Sequence, residues 1–247
     1  MTFAISSQAK ALRAQGVDVC DFSVGEPDFI TPLPMREAAK AALDAGKTKY
    51  TPTAGLPELR ERIASKLRSD NHLPYTTEQI LVTTGGKQAL FNILMVLLSP
   101  SDEALIPSPA WVTYPEIVKI AGANPKLIET TEATDFKITP KQLAGAITSR
   151  SRVLILNSPS NPTGAVYTAE ELRALAEVIV EDNLTVVADE IYEKLIYDGF
   201  SHTSIGSLSD EIFERTITIN GFSKAFAATG WRLGYAAGPA HVIKAAT

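Results

Sequence analysis

The chain has 247 residues, long enough for one large α/β domain with a sizeable core. Hydrophobic residues make up 45% and charged residues 21%, the balance of a soluble globular protein, and a formal net charge of -5 offers no basic surface for nucleic acid or an anionic membrane. A single cysteine, Cys20, excludes an intramolecular disulfide framework and a cysteine-rich metal site, and points to a reducing, cytoplasmic setting.

In chain order, the opening "MTFAISSQAKALRAQG" has no cationic segment followed by an apolar one, so no signal peptide is read. Residues 1–34 form a first unit. The run "DFSVGEPDFITPLP" is rich in Pro and Gly without a period, and an N-terminal arm and loop are expected there. Residues 35–247 form the second unit. Two helices are expected at 35–45 and 56–69. Strands are then expected at 79–84, 103–107, 125–129, 152–157, 184–189, 216–220 and 233–238, each an apolar run. Between them lie helical patterns, of which "TAEELRALAEVIVED" is the best signalled: Thr168 can cap it, with Glu170 and Glu171 in its first turn. This alternation predicts an α/β fold, a mostly parallel seven-stranded sheet flanked by helices. The longest apolar run, "ALFNILMVLL" at 89–98, is too short to span a bilayer and is expected as a helix buried on most sides. The chain reaches Thr247 just as a further helix starts, and a fragment of a longer protein is expected. His72, His202 and His241 have no metal-ligand spacing and are expected on the surface or in loops, so no metal is expected.

In open α/β sheets ligands bind beyond the carboxyl ends of the strands. Those ends deliver "GGKQ", "SPAWVTY", "SPSNPTG", "EIYEK" and "GFSK". "TTGGKQAL" joins a strand to a helix, where free N–H groups favour a phosphate. It is not a Walker A loop, since Leu81 and Gln88 occupy positions that motif reserves for Gly and for Ser or Thr, and no GxGxxG follows a strand. Asn161 stands before a proline in a turn. Asp189 ends a strand with Tyr192 three positions on, and a carboxylate after "TVVA" needs a partner. In "SKAFAATGWRLG", Lys224 and Arg232 are single basic residues in an apolar, glycine-punctuated run. They either snorkel to the surface or point at something inside.

Read in order, "VGEPDF", "YTPTAGLPELR", "TTGGKQAL", "SPAWVTYPE", "NSPSNPTG", "DEIYEKLIYD" and "GFSKAFAATGWRLGY" closely resemble the class I aminotransferases, pyridoxal-phosphate enzymes of the aspartate aminotransferase fold. The resemblance runs from about residue 4 to the end, and "GGKQAL" and "GWRLGY" are most similar to the bacterial aspartate and prephenate subgroup.

The resemblance implies a role for each matching residue. Lys224 falls on the lysine that forms the Schiff base with pyridoxal 5'-phosphate and moves the substrate's Cα proton. Asp189 matches the partner of the pyridine nitrogen, and Tyr192 and Asn161 match the donors to the ring oxygen. Trp111 matches the aromatic residue stacked on the ring. Arg232 matches the phosphate-binding arginine, with Ser223 and the amides of Gly86 and Lys87 completing the phosphate cup. Tyr50 resembles a tyrosine that reaches the phosphate of the neighbouring subunit, which implies a homodimer. Gly25 matches a loop glycine beside the substrate, where Trp111 and Asn161 also lie. The implied reaction is ping-pong transamination between an L-amino acid, foremost aspartate, and a 2-oxo acid, foremost 2-oxoglutarate. Aromatic, alanine or prephenate specificity, or a lyase on the same scaffold, are the enzymatic alternatives; a regulator's effector-binding domain or an inactive fragment are the others. The family's small C-terminal domain, with its substrate-carboxylate arginine, and part of the N-terminal arm have no counterpart here.

Overall fold

The structure, a computed structural model, describes residues 2–20 and 25–247. The "DFSV" part of the expected arm, residues 21–24, lies outside the described residues, as does the valine that opens "VGEPDF". Where an arm without regular structure was expected, the chain forms a helix, α1 (Thr2–Ala14). Ala9 is the one buried side chain among its described ones, so no apolar stripe announces it.

The remaining helices are α2 (Leu33–Asp44), α3 (Pro57–Asn71), α4 (Gly86–Leu97), α5 (Thr113–Ile120), α6 (Pro140–Ala146), α7 (Ala169–Glu181), α8 (Asp210–Phe213) and α9 (Ala240–Ala246). The strands are β1 (Ile80–Thr83), β2 (Glu103–Ser108), β3 (Asn124–Glu129), β4 (Ser151–Asn157), β5 (Thr185–Asp189), β6 (Thr216–Gly221) and β7 (Gly234–Ala237). Two helices begin on reciprocal capping boxes. Thr168 and Glu171 close the end of α7, and Thr139 and Gln142 that of α6, each satisfying two backbone donors that would otherwise be orphaned. Proline at the first helical turn opens α2, α3 and α6, where its missing N–H costs nothing. Among the described residues no helix is long and apolar enough to cross a membrane.

The seven strands form one sheet in the order β1-β7-β6-β5-β4-β2-β3. Pairs among β2 to β6 are parallel, while β7 runs antiparallel to both of its neighbours, β1 and β6. Both faces are covered, and successive residues of one strand enter opposite cores. Val153, Ile155 and Val187 pack with α4, α5 and α9, while Leu154, Leu156, Val186 and Ala188 pack with α6 and α7. A third cluster, Ile63, Leu67, Leu73 and Tyr75 with Ile80 and Tyr235, seats α3 beneath the β1–β7 edge. Helix α4 is more open than its apolar run suggests: Ala89, Leu90, Ile93 and Leu94 are buried, but Phe91, Met95 and Val96 reach the surface.

Two consequences of this topology position the site. The chain steps outward from β2 to β3 and then returns to place β4 on the other side of β2, so the strand order reverses between β2 and β4. A crevice opens at the carboxyl ends of strands flanking such a reversal. Because β7 is antiparallel, its amino end arrives at the same edge of the sheet as the carboxyl ends of β1 and β6. Gly234 pairs with Thr83 on one side and Gly221 on the other.

Candidate active site

The crevice collects side chains from five strand ends. Tyr114 stands at the start of α5, after β2. Asn157 ends β4, Asp189 ends β5, and Asn161 and Tyr192 lie in the loops that follow those two strands. A cavity of about 20 Å³ beneath them is lined by Tyr114, Asn157 and Asn161 among others, space for about one water.

Asp189 is 3% exposed. Its Oδ2 accepts from Tyr114 Oη at 2.7 Å and its Oδ1 from the Ile191 amide at 3.2 Å. No cation pairs with it among the described residues. Burial therefore pushes the carboxyl up to about 6, against the opposing pull of the Tyr114 and Ile191 bonds. Tyr114 is itself buried, and burial followed by the charge of Asp189 holds its phenol well above the ordinary range. Tyr114 closes the "SPAWVTY" segment of the sequence but is given no role there. Its only signal there is its place three residues after Trp111, which puts both on one face of a helical turn.

Asn157 donates to the Asp189 carbonyl at 2.8 Å and accepts from the Asn161 amide at 2.7 Å, so it ties two of the expected site residues together. Asn161 Nδ2 lies 3.4 Å from Tyr192 Oη, a long contact between two groups with further hydrogen-bonding capacity. Trp111 stands edge-on to Tyr114, with centroids 5.4 Å apart at 87°, and the Lys87 ammonium lies 4.9 Å from the indole centroid.

Lys224 reaches into the same crevice from the loop after β6. Its Nζ donates to the Gly25 carbonyl at 2.6 Å across 199 residues, and lies 5.7 Å from the centroid of Tyr192. Burial lowers its pKa, partly countered by Glu26. Removing water disfavours the ammonium and moves the amine toward the neutral, nucleophilic form. Thr229 Oγ1 donates to Glu26 at 3.0 Å and Thr31 Oγ1 to the Ala227 carbonyl at 2.7 Å, so the 25–31 segment and the lysine loop brace each other.

Arg232 stands in the left-handed region at φ 55°, just before β7. Its guanidinium donates to the backbone carbonyls of Thr229 at 3.0 Å and Thr84 at 3.4 Å, and has no carboxylate partner among the described residues. It lies against Gly85, where a Cβ would come 2.4 Å from Arg232 Nη2. Gly85 also precedes α4, whose end has no side-chain cap and leaves the Gly86 and Lys87 amides free. A guanidinium beside an uncapped helix N-terminus could hold an anion. Ser223 is buried in the loop after β6, and Trp231, beside the arginine in sequence, is 43% exposed.

Two expected positions need separate mention. Tyr50 is fully exposed and touches none of these groups. His202, expected on the surface or in a loop, lies in a loop but is largely buried and paired with Glu190 at 3.1 Å; burial opposes its protonation, and the Glu190 charge and hydrogen bond outweigh burial and raise its pKa. His72 and His241 are exposed as expected.

The set can hold a group with three poles: an anion at Arg232 and the head of α4, a cationic or N–H pole at Asp189, and an electrophile or anionic oxygen near Lys224, Tyr192 and Asn161. Those poles match pyridoxal phosphate. The fit rests on the buried carboxylate that lacks a cation and the arginine that lacks an acid.

Residues 17–247 match the family model described as aminotransferase class I and II. The aspartate aminotransferase of Bacillus subtilis (strain 168) is 50% identical over 246 residues, all of this chain and 63% of that protein. The aspartate/prephenate aminotransferase of Thermus thermophilus is 51% identical over 244 residues, 99% of this chain and 62% of that protein. The solved aspartate aminotransferase from Thermus thermophilus with maleate superposes with a TM-score of 0.95 at 51% identity, covering 99% of this chain and 63% of that one. The chain thus spans about 63% of the length of these relatives.

Proposed function

The chain belongs to the class I and II aminotransferase family, and on that premise we propose that the protein exchanges an amino group between an L-amino acid and a 2-oxo acid with pyridoxal phosphate held in the crevice. The observation that carries this reading is Asp189: a buried carboxylate with two donors and no cation, facing the crevice that Lys224 enters. Asp189 would hold the protonated pyridine nitrogen, Tyr192 and Asn161 the ring oxygen, Trp111 the ring face, and Arg232 with Ser223 and the Gly86 and Lys87 amides the phosphate. When bound, the cofactor supplies an electron sink that makes the substrate's Cα proton acidic enough to remove.

The chain's own residues do the rest. Lys224 would be the residue that holds the cofactor, and its Nζ would take the Cα proton as base and return it as acid, roles that require the neutral form desolvation favours. Asp189 keeps the pyridine nitrogen protonated by remaining ionised, and the Tyr114 and Ile191 bonds oppose burial in the direction that keeps it so. The Gly25 carbonyl, 2.6 Å from Nζ, orients the amine before substrate arrives.

Aspartate and 2-oxoglutarate are the proposed substrate pair. Two relatives near 50% identity carry aspartate in their names, and a solved relative is described with maleate, a four-carbon dicarboxylate. The proposed assembly is a cytoplasmic homodimer in which Tyr50 serves the neighbouring site; its full exposure and lack of contacts in its own chain support that reading.

Adding pyridoxal phosphate to the chain is expected to produce a visible absorption band, absent in Lys224→Ala. A panel of amino donors is expected to bleach the band fastest with aspartate. A band that survives Lys224→Ala unchanged would overturn the assignment, and a neutral donor outpacing aspartate would overturn the substrate choice.

A further inference from the structure

The turn after β5 has two faces. Asp189 and Tyr192, three residues apart, belong to the crevice. Glu190 and Glu193, also three apart, point the other way, between the sheet and α3, at 3% and 7% exposure. Carboxylates so buried are costly unless they are paired and hydrogen-bonded, and both have side-chain partners here. Lys66 of α3 pairs with Glu193 Oε1 and donates to Asn71 Oδ1 at 2.6 Å. Asn71 Nδ2 donates to Glu193 Oε2 at 2.8 Å and to Ser204 Oγ at 2.9 Å. Ser204 donates to Glu190 Oε2 at 2.7 Å, and His202 Nε2 lies 3.1 Å from that same oxygen. Six side chains from three distant segments close one network.

The ligand atoms of Glu190, Glu193 and His202 lie within 4.8 Å of one another, a spacing a metal ion could use. Lys66 and Asn71 already occupy the Glu193 oxygens, however, so the cation here is the chain's own ammonium. The remaining titratable groups around the network are Tyr75 and Tyr235, both deeply buried, and the Asp70–Lys194 pair at its rim.

The Tyr192 ring packs in a half-buried position under the Lys224 ammonium, but its hydroxyl is loosely held. Its hydroxyl has one long contact, to Asn161. Its backbone is set by the turn, through Glu190 N–H to Ile219 O, Glu193 N–H to Glu190 O and Leu195 N–H to Tyr192 O. The two glutamates flank the tyrosine on either side, so whatever fixes them fixes the direction of the phenol.

We propose that this buried network is a positioning device for the cofactor-facing side of the turn: clamping Glu190 and Glu193 from behind holds the Tyr192 phenol and the Asp189 carboxylate against the pyridoxal ring. The proposal rests on the cofactor reading above. Glu190, Glu193, Lys66, Asn71, His202 and Ser204 act here as positioning residues and touch no reacting atom.

The test uses the chain with pyridoxal phosphate and two readouts, cofactor affinity and the pH midpoint of the visible band. Glu193→Gln keeps the shape and removes the charge. It is expected to weaken cofactor binding about tenfold, the scale of one charge-assisted hydrogen bond. It is also expected to raise the band's midpoint by about half a pH unit or more, because a donor to an anionic oxygen favours the deprotonated form and its loss favours the protonated one. His202→Gln, which removes one clamp partner, is expected to move both readouts the same way by less. Asp70→Asn, at the rim, is expected to move neither. If the glutamate and histidine variants lower only the unfolding temperature and leave affinity and midpoint at their original values, the network is structural and the proposal fails. Should Glu193→Gln not fold, His202→Gln and Ser204→Ala decide by the same two readouts. Absence of a band in the unmodified chain would overturn the cofactor reading and this proposal with it, a result distinct from unchanged midpoints in the variants.

Discussion

Tyr114 Oη lies 2.7 Å from Asp189 Oδ2, joining residues 75 positions apart through the one side-chain donor that the buried carboxylate has among the described residues. The bond opposes the desolvation that raises the Asp189 pKa. Tyr114→Phe removes the donor and keeps the ring. Asp189 then titrates above about 6, so less of it is ionised at neutral pH to pair with a protonated pyridine. Cofactor affinity measured by absorbance titration is expected to fall about tenfold, the scale of one hydrogen bond to a charged group, and to fall further as the pH is lowered from 8 to about 6. An affinity equal to that of the unmodified chain would show that the bond is incidental.

The same carboxyl sets a pH dependence in the cofactor-free chain. Its folded pKa is raised from 3.8 to about 6, so between those values the folded state binds more protons than the unfolded one. Stability from this group is fully present below the unfolded value and is lost as pH rises through the folded one. Two units correspond to on the order of 3 kcal/mol. Asp189→Asn, which cannot ionise, is expected to flatten that part of the curve. The check is the difference between the two proteins in urea unfolding across about pH 4 to 7; parallel curves would refute the assignment.

What the sequence made legible, and what it hid, follows from the range of the forces involved. The strands were readable because burial on both faces leaves near-continuous apolar runs, and α7 because its capping box lies within four residues of sequence. The antiparallel sense of β7 was not readable, since "GYAA" carries no mark of direction. Helix α1 was hidden because its described side chains, from Ser7 on, bury only Ala9. At the site, Lys224, Asp189 and Arg232 stood out as charges in apolar company. Tyr114 did not, because an aromatic residue in an amphipathic helix is what core packing also demands. The Glu190–His202 pair was invisible for a different reason: its partners come from α3, the β5 turn and the loop before residue 204, and only the fold brings them together.

Arg232 and Gly85 form a steric lock. A Cβ at position 85 would lie 2.4 Å from Nη2 and 2.9 Å from Cζ, and Gly85 has φ +81°, which side chains resist. Gly85→Ala is therefore expected to displace the guanidinium and disturb the head of α4. The loss should be specific to phosphate: affinity for pyridoxal phosphate is expected to fall by about 10- to 100-fold, the range for losing a bidentate charged contact, while the weak affinity for pyridoxal without phosphate stays within about twofold. Equal losses for both ligands would place the damage in the fold and not at an anion site.

Tyr50 allows a test of the assembly that activity alone cannot give. At 108% relative exposure it has no cover in its own chain, whereas Lys224 is half-buried in the crevice. If Tyr50 serves the neighbouring subunit, Lys224→Ala chains and Tyr50→Phe chains complement each other. In a mixed dimer, the site that keeps Lys224 receives an intact Tyr50 from the other chain, and the second site lacks both groups. Co-expression with two different tags, purified over both, is expected to give dimers in which one site in two binds cofactor with unmodified affinity. Pure Tyr50→Phe dimers are expected to bind about 10- to 100-fold more weakly, the range for one hydrogen bond to a charged group. If Tyr50 acted within its own chain, every Lys224-bearing site in the mixed dimer would also carry Phe at position 50. Its affinity would then match the pure Tyr50→Phe protein, and the shared-site arrangement would be wrong.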